Sequence, residues 1–275
     1  MHLFATALYL ALAARLWQSR WRTAQKPPIS AGLSAIERAL LMAALLIHGI
    51  TLHNAIFDSE AGATTMRFGF AIALSFMLWL AIALYWVESF YARVEGLLAI
   101  GLPAAAAAAL LPVLVPEHHV LVNAGSAAFR LHFMVAMLAY SLFTLAALHA
   151  ILMSAVEKNL HRGRLSPLLS GLPPLLTLEA LMFRVIHLAF VLLTLTLISG
   201  IAFSEDLFGK ALRFDHKTVF AILSWLIFTA LLLGRHLRGW RGRIALRWTL
   251  AGFVALLLAY VGSRFVLEVI LGRAG

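Results

Sequence analysis

Long apolar stretches separated by short polar ones run through the whole chain. A helix needs about 20 apolar residues to cross a bilayer core of about 30 Å. By that measure the pattern predicts about eight spans. A short first one lies near 2–18, followed by 35–57, 68–88, 94–115, 129–156, 179–203, 216–234 and 245–270. The connections are too short to fold alone, so one domain over 1–275 is expected. The opening MHLFATALYLALAARLW has no basic region before its apolar run and no A-x-A-like site after it. It reads as a retained span rather than a signal peptide.

Composition strengthens this reading. The chain is 63% apolar and 12% charged, with a mean hydropathy of +0.93. A soluble domain is about 45–50% apolar and about 25% charged. A soluble α/β enzyme, a disordered chain and a nucleic-acid-binding domain are therefore poor fits. The expected class is an all-α polytopic integral membrane helix bundle.

The net charge of +10 tells of orientation, because basic residues collect in cytoplasmic loops. Fifteen of the 22 Lys and Arg residues fall in one alternate set of connections: 15–38, 88–95, 157–184 and 235–247. That set is expected in the cytoplasm, with both termini extracytoplasmic and no nucleic-acid partner. The absence of cysteine excludes disulfides, thiolate metal sites and covalent haem attachment through thiols.

Eleven histidines are the main chemical signal, since ionisable groups inside a membrane are expensive and tend to face a bundle interior, a cavity or a cofactor. His48 lies well inside the second span and His53 near its outer end. His132 opens the fifth span on the outer side, and His149 lies about 25 Å further along it. His187 falls in the inner half of the sixth span and His236 at the inner end of the seventh. No pair has the i, i+4 spacing of a helical metal clamp, which leaves a zinc enzyme poorly supported. Two imidazoles from different helices are what axial ligation of haem requires.

The bland alternatives stand beside these. His2, His118, His119 and His161 read as loop or terminal residues without a role. His149 and His187 read first as hydrogen-bonded packing residues. Glu88, Glu179 and Glu268 fall at span ends, where solvated or snorkelling side chains are the default, and most tryptophans fall near interfaces. The small residues of Ala104–Ala109 allow close helix approach, and Pro103 and Pro112 are expected to kink that span. Phosphate-loop, nucleophile-elbow and paired-carboxylate motifs are absent, so no enzyme activity is expected.

Three blocks carry a family resemblance. LHFMVAMLAYSLFTLAALHAIL resembles a span opening with an outer histidine and carrying a Tyr-Ser step. LEALMFRVIHLAFVLLTLTLISGIAFSE resembles a span with an aromatic-Arg step and a Phe-x-Leu-Leu-Thr-Leu core. FDHKTVFAILSWLIFTALLLGRHLRGWRGR resembles a tryptophan-rich outer loop leading into a span that ends in H-x-R. Together, from about residue 35 onward, they resemble the cytochrome c assembly family of membrane haem-handling proteins (CcsA, ResC and CcmC type), and within it the YpjD-like branch.

The resemblance implies non-covalent haem b, a bacterial inner-membrane location, and contact with haem, lipid and another membrane protein of cytochrome c assembly. By position it implies His132 as the first outer histidine and His48 and His236 as the two membrane histidines, these three being the iron ligands. Asp215 and Trp225 match the loop aspartate and the tryptophan of the following helix. The sequence departs from the family pattern in two places. Its loop 204–218 holds no tryptophan, and the family's last outer histidine has no counterpart. His216, in the same loop, is the expected substitute. A haem-free accessory or regulatory subunit on this scaffold is the competing expectation, and a solute transporter is a weaker third.

Overall fold

The computed structural model describes residues 1–21, 32–57, 66–115, 120–121, 124–161, 172–202 and 216–271. Eight helices carry the fold: α1 (His2–Leu16), α2 (Ala35–Ile56), α3 (Phe70–Glu88), α4 (Leu98–Leu114), α5 (Ala127–His161), α6 (Leu175–Ala202), α7 (His216–Arg238) and α8 (Gly242–Leu257). α8 continues to Ile270 through two wide π-type turns, Leu258–Gly262 and Val266–Ile270. This is an all-α polytopic membrane bundle. Among the described residues seven helices are long and apolar enough to cross a membrane. α1 falls short: 15 residues span about 22 Å against a core of about 30 Å.

Consecutive helices run in opposite directions. His2 donates from Nδ1 to the Ala109 carbonyl (2.9 Å) and Thr6 from its hydroxyl to Ala106 (3.2 Å), so α1 lies antiparallel to α4. The expected close approach along Ala104–Ala109 is what brings these side chains to the α4 backbone. His2, expected to be idle, is one of the ties. Helix α4 passes through Pro103 and Pro112 without ending. The two-residue strands β1 (Met66–Arg67) and β2 (Val120–Leu121) pair antiparallel beside the start of α3, with Met66 opposite Leu121.

The basic residues Arg235, Arg238, Arg241 and Arg243 mark one end of the bundle, called here the basic end. α1 begins and α8 finishes at the opposite, far end. There the Glu268 carboxylate accepts from the Phe70 backbone N–H at 2.9 Å and lies 3.8 Å from Arg264. Helices α1–α4 pack on one another, α6 and α7 pack together, α7 packs on α8, and α5 joins the two groups through α3, α6 and α8. α5 is accordingly the most buried of the spans.

Local chemistry fixes the helix ends. Ser34 and Glu37 form a reciprocal capping box at the start of α2. The α7–α8 turn needs Gly239 and Gly242 at φ +64° and +53°, a backbone region that disfavours side chains. Trp240 folds back over Gly234, where a Cβ would collide with its ring. On α6, Glu179 accepts from Arg235 (2.8 Å) and from the Gly242 N–H that opens α8 (3.2 Å). Glu179 is thus a buried link among three helices and not the solvated span-end residue expected, because the end of α7 and the start of α8 each deliver a donor to it.

Candidate functional site

At the far end of α5, His132 is half-buried beside α6. Its Nδ1 lies 2.8 Å from the Ser199 hydroxyl oxygen. The same hydroxyl also reaches the Thr196 carbonyl at 3.1 Å; donation there makes its oxygen the acceptor and places the ring proton on Nδ1. In that tautomer the lone pair is on Nε2, and in either tautomer Nε2 makes no hydrogen bond among the described residues. Gly200 keeps the α6 backbone flat against the ring; a Cβ there would lie 3.4 Å from Cε1. A metal-binding histidine has this arrangement, with one nitrogen oriented by the protein and the other open. Beside it Phe133 meets Phe68 edge-on at 4.7 Å, and the Tyr260 hydroxyl donates to the Phe68 carbonyl at 2.9 Å.

His48 is placed differently. It is fully buried between α1, α2 and α3, with Nδ1 3.2 Å from the Tyr9 hydroxyl and Nε2 2.9 Å from the Ser75 hydroxyl. Whichever nitrogen carries the proton, one hydroxyl can donate and the other accept, so both nitrogens are engaged. His236 is exposed near the end of α7. α2 packs on α1 and α3, whereas α7 packs on α6 and α8, so His48 and His236 do not share a helix interface. His132 and His236 lie at opposite ends. Ser199, the partner of His132, and Glu179, the partner of Arg235 next to His236 in the chain, are separated by 20 residues, about 30 Å of helix. Among the described residues no three His, Asp or Glu side chains gather as a metal group.

The remaining candidates divide between packing and exposure. His216 is the exposed first residue of α7, and Asp215 lies outside the described residues. Trp225 donates from Nε1 to the Thr194 hydroxyl at 3.0 Å and stacks on Phe190, clasping α7 to α6. His187, exposed on α6, donates to the Phe183 carbonyl one turn back at 2.6 Å.

One buried pair escaped the sequence. Glu88, expected to be solvated, and His149 are 2% and 0% exposed and sit 3.3 Å apart where α3 meets α5. His149 Nδ1 donates to the Leu145 carbonyl at 3.0 Å, so Nε2 faces the carboxyl group. Each residue alone had an ordinary explanation. Only the packing of α3 on α5 makes them partners, and the available hint was that both fall toward the basic ends of their spans.

The fold and the far-end imidazole define a multi-helix membrane protein with a candidate metal-ligating histidine at one face. Comparison places it further: the chain belongs to the cytochrome C assembly protein family, whose model matches residues 34–271. It is 32% identical over 160 residues to the inner membrane protein YpjD of Escherichia coli K12, covering 58% of this chain and 60% of YpjD. It is 37% identical over 86 residues to the cytochrome c biogenesis protein CcsA of Microcystis aeruginosa, or 31% of this chain and 26% of that one. For CcsA of Gloeobacter violaceus the figures are 34% over 92 residues, 34% and 27%. The match thus spans about three-fifths of YpjD and about a quarter of either CcsA.

Proposed function

We propose that this protein is a haem-handling protein of the bacterial inner membrane, related to cytochrome c biogenesis, and that His132 is its axial ligand at the extracytoplasmic face. The observation that carries the reading is that Ser199, itself within reach of the Thr196 carbonyl, holds His132 through Nδ1 while Nε2 makes no hydrogen bond among the described residues. Family membership and the names of the CcsA relatives supply the ligand class. With no cysteine in the chain, attachment through thioethers is excluded and the haem would be the non-covalent b type. The bound group supplies iron that accepts an imidazole nitrogen. Ser199 orients the ring, while the partly exposed Phe133, backed by the buried Phe68, supplies apolar surface next to it.

The test is an absorption spectrum of the detergent-purified full chain, oxidised and dithionite-reduced, after purification and after adding haem. The expected result is a Soret band that weakens or shifts in His132→Ala. In Ser199→Ala, haem affinity is expected to fall about 10–100-fold, the usual cost of losing an orienting partner. A protein that takes up no haem, or a His132→Ala spectrum identical to the parent, overturns the reading. A haem-free accessory or regulatory subunit would then lead. That second reading is favoured by His48, whose nitrogens are both engaged in packing.

A further inference from the structure

At the basic end, two arginines are left without an acid. Five arginines run from Arg235 to Arg247, across the end of α7, the turn and the start of α8. Glu179 lies 2.8 Å from Arg235 and 3.8 Å from Arg241, and Glu157 accepts from Arg243 at 2.6 Å. Arg238 and Arg247 are exposed and meet no carboxylate or other acceptor among the described residues. The two tryptophans here share that state. Trp79, Trp86 and Trp225 each donate the indole N–H to an oxygen elsewhere in the bundle. Trp240 and Trp248, half-buried with rings 5.2 Å apart, donate theirs to nothing among the described residues.

Helix α8 gives the depth of this surface. Arg247 stands five residues past Gly242, about 8 Å along the helix. The exposed residues Arg247, Ala251, Val254 and Leu258 follow one another at spacings of four, three and four. They share one helix face, so the guanidinium heads the exposed stripe of α8 that runs into the bilayer. Tryptophan rings belong at the headgroup level, and an arginine there lays its apolar stem along the stripe and keeps its charge among the headgroups.

We infer that the α7–α8 turn binds the headgroup of an anionic phospholipid in the leaflet at the basic end, through Arg238, Arg247 and the indoles of Trp240 and Trp248. Guanidinium and indole N–H groups only donate, so the ligand that satisfies them is an acceptor with negative charge. A phosphodiester on acyl chains supplies that charge, and its chains cover the apolar stripe below Arg247. A free phosphate would use the donors and leave the stripe bare. The surface lies at the opposite end from His132 and does not rest on the haem-handling reading.

The test is native mass spectrometry of the detergent-solubilised full chain, titrated with phosphatidylglycerol or with phosphatidylcholine of the same acyl chains. The parent should bind its first phosphatidylglycerol more tightly than its first phosphatidylcholine. Arg238→Gln and Arg247→Gln should each lower that preference about fivefold, the usual contribution of one basic residue at an anionic surface. Trp240→Phe with Trp248→Phe keeps both rings, removes both donors and should lower it as well. Arg15→Gln removes an exposed cation of the same end outside the turn and should leave the preference at the parent value. Unchanged phosphatidylcholine binding and a single gel-filtration peak show that each variant keeps its fold. A parent with equal affinity for the two lipids overturns the site. A loss in Arg15→Gln equal to that in Arg247→Gln means charge acting without a site, and overturns it too. An unchanged preference in the tryptophan variant overturns the indoles as donors. Displacement of phosphatidylglycerol by an equal concentration of glycerol phosphate overturns the lipid as ligand in favour of a soluble phosphate.

Discussion

The pairing of Glu88 with His149 predicts an unequal response to removing either half. At 3.3 Å, an imidazolium and a carboxylate attract by about 5 kcal/mol at an effective dielectric of about 20. Desolvating two ions takes back several kcal/mol, so the net gain of the pair is small and the cost appears when one member is left alone. Glu88→Leu keeps the Nδ1–H of His149 on the Leu145 carbonyl, and Nε2, which makes no hydrogen bond in the parent among the described residues, loses only its carboxyl neighbour; that costs about 1–3 kcal/mol. His149→Leu leaves a buried carboxyl group whose Oε2 already lacks a hydrogen-bond partner among the described residues, and costs about 3–5 kcal/mol. Glu88→Gln retains the volume and offers an N–H to Nε2, and should lie within about 1 kcal/mol of the parent. The double Leu variant should be more stable than His149→Leu alone. Reversible unfolding of the detergent-solubilised protein in a denaturant series, combined as a double-mutant cycle, measures each value. Equal losses for the two Leu variants, or a double variant whose loss is their sum, would refute the reasoning.

Three further outcomes are expected. His48→Phe should destabilise by about 1–3 kcal/mol for each buried hydroxyl it orphans, and adding Tyr9→Phe and Ser75→Ala should recover most of that loss in the same unfolding assay. The haem spectrum should remain unchanged throughout that series. Glu179→Gln weakens the links to Arg235 and to the start of α8, and should cost about 1–3 kcal/mol while raising the protease sensitivity of the α7–α8 turn. Gly252→Ala places a Cβ 2.8 Å from the Phe228 ring and should cost about 1–3 kcal/mol, whereas Gly239→Ala should lose stability through backbone strain alone.

The helices were legible because a 20-residue apolar run has few other uses in a chain this poor in charge. α2 and α3 begin and end within two residues of the expected bounds. α5 exceeds its expected limit by five residues because Glu157 and Lys158 continue the helix beyond the apolar run. Hydropathy alone cannot see that extension. The charged residues at span ends were harder to read. Glu88, Glu179 and Glu268 share one sequence signature, an acid at the edge of an apolar run, yet each is tied to a different structural partner. Partner choice depends on which helices meet, and a single sequence does not encode that locally. The histidines show the same limit. His48 and His132 both precede apolar residues on long helices, but hydroxyls from two other helices close the first and leave the second open.

The carboxylate of Glu179 also constrains the order of assembly. Its partners lie 56 and 63 residues later in the chain. At about 5–20 residues per second, a ribosome delivers them several seconds after Glu179 itself has been made. During that interval the basic end of α6 carries an acid without its Arg235 and Gly242 partners. Only when the start of α8 emerges can the last three helices close on one another. The C-terminal three helices are therefore expected to consolidate as one late event, and a chain truncated after α7 should stall with that event half complete.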